Sequence, residues 1–369
     1  MDKIQFPIIQ EQASCCCGPA TKESENALPD LNQSFVSGFV DTPAGRLPQV
    51  SSVLVWQDRW GSIKARWGVG RMDYKVDPGL YALNTPDNNS PVFISANYKM
   101  SFDRLRQALA GRSGWILALD TKGINVWCAA GKGTFGTEEL IRRIDATGLA
   151  TVVSHRKIIV PQLGAPGISW PEVVRKTGFT VEYGPVRTHD LPAYIRAHTA
   201  TPEMRSVQFP LWDRIVLIPV ELVHITLPAI VAAAMLWFLA GPVAALAAIA
   251  AVIAGTVLLP VLLPFIPTQD FSTKGLLLGG VVALPFAAAF ATAPALPGWA
   301  ATIGAVIPLL TMPAVTAYLA LNFTGSTTFT SRTGVKKEIF RYVPVMTLMA
   351  GFGVFLGIIL GVSRLIGAI

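Results

Sequence analysis

Four cysteines occur in the chain, and three of them, Cys15, Cys16 and Cys17, are adjacent. The fourth, Cys128, stands in the segment Gly123–Leu140 (GINVWCAAGKGTFGTEEL), between a tryptophan and two alanines. Thiolates are strong nucleophiles and soft-metal ligands, so covalent or metal chemistry would begin at these two places. The adjacent trio cannot form a conventional disulfide framework, and it reads either as a soft-metal site or as part of a solvated tail. Cys128 also has two readings. Among Val126, Trp127, Ala129 and Ala130 it has the surroundings of an inert core residue. Against that, its segment follows an apolar run of strand length and precedes a helix. That puts it at the carboxyl edge of a sheet, where α/β folds bind ligands. Ala129, Ala130, Gly131 and Gly133 would leave a surface flat enough for a large planar ligand. A thiolate near a helix N-terminus would have its charge stabilised.

Other motifs fail on spacing. In AAGKGT, Val126 stands where a phosphate-binding loop needs glycine, and Gly133 where it needs serine or threonine. No Cys-x-x-Cys run is present, so the chain cannot hold a ferredoxin cluster by itself. His155, His189, His198 and His224 lack metal-ligand spacing, and no serine stands in a nucleophile elbow. Glu221 and His224 lie one helical turn apart near the start of an apolar span, where ionisable groups either serve function or snorkel to the interface. The loop Asn322–Glu338 is longer and more polar than a connection needs. It reads either as docking against the N-terminal domain or as a solvated loop.

The elements that must position Cys128 divide the chain in two. Of 369 residues, 51% are hydrophobic and 14% charged, and the long apolar runs are concentrated after residue 215. Residues 1–45, rich in Pro, Ser, Asn and Gln, read as a loosely ordered N-terminal tail without the apolar core of a signal peptide. In the domain 46–200, SSVLVW, SPVFISANY, GWILALD, ATVVSH, RKIIVPQLG and FTVEYGPV read as strands. Phe102–Gly111, Thr137–Gly148 and Ser169–Gly178 read as helices. That alternation predicts a layered α/β sheet, mostly parallel. After a linker at 201–215, the segment 216–369 holds five spans, about 216–239, 243–265, 275–296, 299–321 and 343–366. Each is close to the roughly 20 residues that cross a ~30 Å hydrocarbon core. Arg214, Lys274, Arg332, Lys336, Lys337 and Arg341 lie on one side of these spans, which predicts that side, and the N-terminal domain with it, to face the cytoplasm. The net charge of +7 fits such loops. With no basic stripe carrying interleaved aromatics, no nucleic-acid partner is expected.

NVWCAAGKG (Asn125–Gly133) resembles the cap-helix signature of the HgcA family, the membrane-bound corrinoid proteins of microbial mercury methylation. Asp77–Arg106, Pro161–Val173 and Tyr183–Tyr194 are also similar to that family, as is one soluble domain followed by five spans, so the resemblance covers about residues 50–369. The soluble domain is similar, too, to the corrinoid domain in the large subunit of the corrinoid iron–sulfur protein of acetyl-CoA synthesis, a relative that lacks the cysteine and the membrane part. The tail with its three cysteines departs from the HgcA pattern.

The resemblance implies a Rossmann-like corrinoid-binding domain with a cap helix, then an all-α membrane domain, held in the cytoplasmic (inner) membrane. It implies that Cys128 is the lower axial ligand of a cobalamin-type cobalt, bound without a histidine ligand. Asn125, Val126, Trp127, Ala129, Ala130, Gly131 and Lys132 would cap the ring. By loop placement, Ser95, Asn97, Tyr98, Leu163, Gly164, Ala165 and Gly167 would border it. Mercury(II) is an electrophile, so a methyl group must leave cobalt with its bonding electrons or as a radical, and a donating thiolate would favour that. The resemblance further implies re-reduction by a ferredoxin-like partner of the HgcB type with two 4Fe–4S clusters, and a folate-type methyl donor. Two other readings stay open: a corrinoid methyl carrier of one-carbon metabolism, and a transporter with a ligand-sensing soluble domain.

Overall fold

The structure, a computed structural model, describes residues 28–327 and 330–368. Cys15, Cys16 and Cys17 lie outside the described residues. The N-terminal part is built on β1 (Val36–Thr42), β2 (Gly45–Val50), β3 (Gly79–Leu83), β4 (Val92–Ala96), β5 (Gly114–Leu119), β6 (Lys157–Val160) and β7 (Thr180–Tyr183). They form one sheet in the order β1-β2-β3-β5-β4-β6-β7. β3, β4 and β5 are buried at every residue, as strands covered on both faces must be. β5, β4, β6 and β7 run parallel, so their carboxyl ends open on a single edge. β3 is antiparallel to β5, and β1 and β2 form an antiparallel hairpin. The sheet is therefore mixed, a parallel half with an antiparallel flank.

The helices are α1 (Trp56–Arg66), α2 (Lys99–Ala108), α3 (Val126–Lys132), α4 (Thr137–Ala146), α5 (Leu149–Val152), α6 (Trp170–Thr177) and α7 (Leu191–Ala197). Residues of α2 and α7, among them Phe102, Leu105 and Tyr194, share one core with Tyr81, Phe93 and Ile116. Residues of α3, α4 and α6 share the other with Ile94, Trp115 and Leu117.

Three expectations are corrected. SSVLVW is not a strand: β2 ends at Val50 and the run leads into α1. The helix starts there because the Asp58 carboxylate accepts the Val55 N–H at 3.1 Å, which satisfies a donor the helix leaves open. The first three residues of ATVVSH belong to α5 instead of a strand, since Gly148 turns the chain in the left-handed region (φ 58°) and supplies the carbonyl for the first turn. The expected tail carries β1, whose residues alternate between half-buried and exposed and so carry little apolar signal.

Five helices are long and apolar enough to cross a membrane: Leu211–Ala240, Pro242–Leu262, Phe271–Ala291, Gly298–Ser326 and Thr333–Leu365. The third and fourth pack closely through glycine. A Cβ on Gly275 would lie 2.4 Å from Ala317 Cα, and one on Gly279 2.6 Å from Pro313 Cα, the small-residue contact that lets apolar helices approach. Thr316 Oγ1 donates to Ala251 O of the second at 3.2 Å. Of the ionisable pair at the start of the first, Glu221 accepts a hydrogen bond from Ser326, whereas His224 is exposed. The bundle meets the α/β domain through Arg66, whose Nη1 donates to Val216 O at 3.1 Å, and through Arg187, which bonds Asp213 and Gln208 O.

Candidate functional site

Cys128 rides in the first turn of α3, not ahead of it. Asn125 opens this helix, and its Oδ1 accepts the Cys128 backbone N–H at 2.9 Å, the capping bond that asparagine makes best. Gly133 closes it in the left-handed region at φ 83°. Cys128 is half-buried. Ala129 and Ala130 are buried and Val126 packs against the same core, so the helix turns its alanines inward. The small outward surface comes from Gly131 and Gly133, where an added Cβ would meet nothing within 4 Å. Lys132 is exposed and Trp127 half-buried.

The loop between β5 and α3 is held by Asn97. Its Oδ1 accepts the N–H groups of Thr121 and Gly123, each at 3.1 Å. Lys122 and Gly123 are both left-handed, at φ 58° and 70°, a turn that needs such a clasp. Asp120 is held below the usual carboxylate range: burial pushes it up, but the hydrogen bond and charge of Lys122 outweigh this. Glu139 of α4 braces the loop from behind by accepting the Asp120 N–H at 2.8 Å while pairing with Arg143.

Beside α3 runs a 3-10 turn, Gln162–Gly167, that follows β6. Phe135 is wedged between the two. A Cβ on Gly164 would lie 2.4 Å from the Phe135 ring, and one on Gly167 would lie 2.1 Å from Phe135 O and 3.4 Å from Ala130 Cα. Gly164 makes room for the ring, and Gly167 lets two backbones touch. Leu163 and Ala165, half-buried, complete the turn.

The predicted residues thus gather at one sheet edge but divide by role. Cys128, Tyr98 and the 3-10 turn meet there. Tyr98 is buried, and its phenol is raised by that burial, lowered by Arg71 and Arg66 and raised again by Cys128. Ser95 and Asn97 do not border an open surface: both are buried, Ser95 Oγ donates to Ala96 O, and Asn97 is committed to the loop. Arg66, Arg71 and Phe135 were not anticipated. Phe135 was foreshadowed only by the glycines spaced around it.

The described residues hold no cluster of three or more His, Cys, Asp or Glu suited to a metal ion. His155 sits at the far edge of the sheet, where its Nε2 lies 2.9 Å from Ser90 O. A macrocycle brings its own equatorial nitrogens and asks the protein for one axial donor, so a single half-buried thiol beside an open glycine surface fits such a group.

The comparisons agree with this architecture. Residues 69–195 match the family model described as CO dehydrogenase/acetyl-CoA synthase delta subunit. That stretch contains β3 to β7, α3 and Cys128. The acetyl-CoA decarbonylase/synthase complex subunit gamma of Methanocaldococcus jannaschii is 34% identical over 116 residues, which cover 31% of this chain and 23% of that one. The corresponding subunit of Archaeoglobus fulgidus is 31% identical over 118 residues, 31% of this chain and 25% of that one. The one from Methanopyrus kandleri is 30% identical over 127 residues, 34% and 27%. The chain spans about a quarter of the length of these curated relatives.

Proposed function

We propose that this chain is a membrane-held corrinoid protein of methyl transfer, with Cys128 as its axial ligand to cobalt. The observation that carries this is the placement of a half-buried cysteine on a capped helix at the carboxyl edge of the parallel half of the sheet, within the stretch similar to acetyl-CoA decarbonylase/synthase subunits. The corrinoid would supply a metal centre that takes up and releases a methyl group. The chain's part is to present the thiolate in a fixed orientation, through the Asn125 cap, and to leave room above Gly131 and Gly133. Tyr98 and the 3-10 turn shelter the flank.

Two methyl acceptors follow from this site. The comparisons favour a methyl carrier of one-carbon metabolism, since the relatives are named for acetyl-CoA decarbonylase/synthase. The cysteine motif Asn125–Gly133 favours mercury(II), because an electrophilic acceptor calls for a donating axial thiolate. With mercury(II) as acceptor the methyl group would take bonding electrons with it, so a separate ferredoxin-like protein with 4Fe–4S clusters would be needed for re-reduction; a carrier that hands on a methyl cation would keep those electrons and need such a partner only for reactivation. In either case the soluble domain faces the cytoplasm.

The test is methyl transfer under anoxic conditions by full-length protein in a host that supplies corrinoid and the ferredoxin-like partner, comparing wild type with Cys128→Ala at equal membrane abundance. Methylmercury from wild type alone supports the thiolate and the mercury(II) acceptor. Transfer only to an acetyl-CoA synthase supports the carrier. Equal activity of the two proteins removes Cys128 as the ligand.

A further inference from the structure

α1 carries a surface that the candidate site does not use. Trp56, Trp60, Ile63 and Trp67 recur at intervals of four, three and four residues, which at 3.6 residues per turn places them within an arc of about 60°. They are 68, 48, 41 and 50% exposed, and Trp56 stacks on Trp60 with centroids 6.2 Å apart. Exposed Val69 and Met72 extend the patch. A contiguous apolar patch of this kind marks an interaction surface.

The opposite side of the helix is locked. Asp58 and Ala65 are buried, and the Asp58 carboxylate pairs with Lys99 Nζ at 2.8 Å and Arg106 Nη2 at 2.6 Å. Gly61 lies so close to Tyr74 that a Cβ would come within 2.6 Å of its ring. The helix cannot roll its tryptophans inward.

Position and charge say what covers them. The end of α1 abuts the first membrane helix: Arg66 bonds Val216 O, and a Cβ on Gly68 would lie 3.3 Å from Val223 Cγ1. The stripe is therefore continuous with the surface of the bundle, whose own first turn exposes Leu211 and Trp212. On the helical wheel Arg59 and Arg66 border the stripe on one side and Lys64 on the other, whereas Asp58, the only acid of the helix, is buried. Tryptophans flanked by cations suit the boundary between headgroups and acyl chains.

We propose that α1 lies in the plane of that boundary, as an anchor that holds the α/β domain against an anionic leaflet of the membrane crossed by the five helices. The proposal rests on reading those helices as spans.

The test uses full-length protein in nanodiscs of phosphatidylcholine and phosphatidylglycerol, with and without dibrominated phosphatidylcholine. Wild type is compared with the triple variant Trp56→Phe, Trp60→Phe, Trp67→Phe, which keeps the stripe apolar. The difference in tryptophan emission should lose most of its intensity to the brominated lipid and little to aqueous iodide. Quenching by iodide alone, or by neither agent, overturns the proposal; the first assigns the stripe to water and the second to a protein cover. Trp237 and Trp299, exposed on the first and fourth spans, remain in the variant. If they escape the brominated lipid, the span reading itself has failed, a result distinct from failure of α1 alone.

Discussion

Asn125 and Cys128 are tied by one hydrogen bond of 2.9 Å from the cysteine's backbone N–H to the asparagine's Oδ1. The residue that starts α3 therefore fixes the turn that carries the thiol. Replacing a capping asparagine by alanine costs about 1 kcal/mol, and here that loss falls on a helix of seven residues. Asn125→Ala should purify with less cobalt per chain than wild type, and Asn125→Asp should restore it. Metal analysis of protein purified from a corrinoid-supplying host decides this; unchanged cobalt in the alanine variant would detach the cap from cofactor retention.

Asn97 should behave as a structural residue. Asn97→Leu would orphan the buried N–H groups of Thr121 and Gly123, at a combined cost of about 3 kcal/mol, enough to lower Tm by roughly 10 °C. Thermal unfolding of the full chain in detergent reads this directly. A Tm within a degree or two of wild type would mean that the loop is held by something else.

The Asp58, Lys99, Asp103 and Arg106 cluster gives a pH signature. Burial would push Asp58 up, but hydrogen bonding and charge from Lys99, with the charge of Arg106, leave it below its usual value. A carboxyl lowered in the folded state adds stability above its unfolded pKa, about 4, and that stability is lost as pH falls through the folded value. Asp58→Asn removes one partner of a buried pair and should destabilise by about 3–5 kcal/mol near neutrality. Tm measured from neutral pH downward should fall more steeply in wild type than in the variant; parallel curves would deny Asp58 this role.

Two glycines should separate packing from binding. Gly167→Ala drives a Cβ into Phe135 O, so it should lower stability and cobalt content together. Gly131→Val meets open space, so its Tm should stay near that of wild type while cobalt content falls. Full cobalt retention by Gly131→Val would show that the open surface is not where the corrinoid sits.

Much of this was legible in the residues. Asn125 and Gly133 announce the start and stop of α3 by their types alone, and the buried runs of β4 and β5 stand out by composition. What is not legible there depends on partners far away in sequence. The apolar run Val53–Trp56 has the residue types of a strand, and only the buried bonds of Asp58 to Lys99 and Arg106 reveal that a helix follows. The alanines of α3 are small enough for an outward face, and only Phe135 and the core beneath them fix which way they point. Asn97 has the type and place of a ligand contact after a strand, but its two N–H partners lie more than twenty residues on.

The packing of Phe135 between α3 and the turn that holds Gly164 and Gly167 has a mechanical consequence. With backbone against ring on one side and backbone against backbone on the other, neither the 3-10 turn nor α3 has slack to slide past its neighbour. A residue larger than glycine at position 167 would therefore press toward Ala130, two positions from Cys128 on the same helix, so the aim of the thiol is set in part from a neighbouring loop.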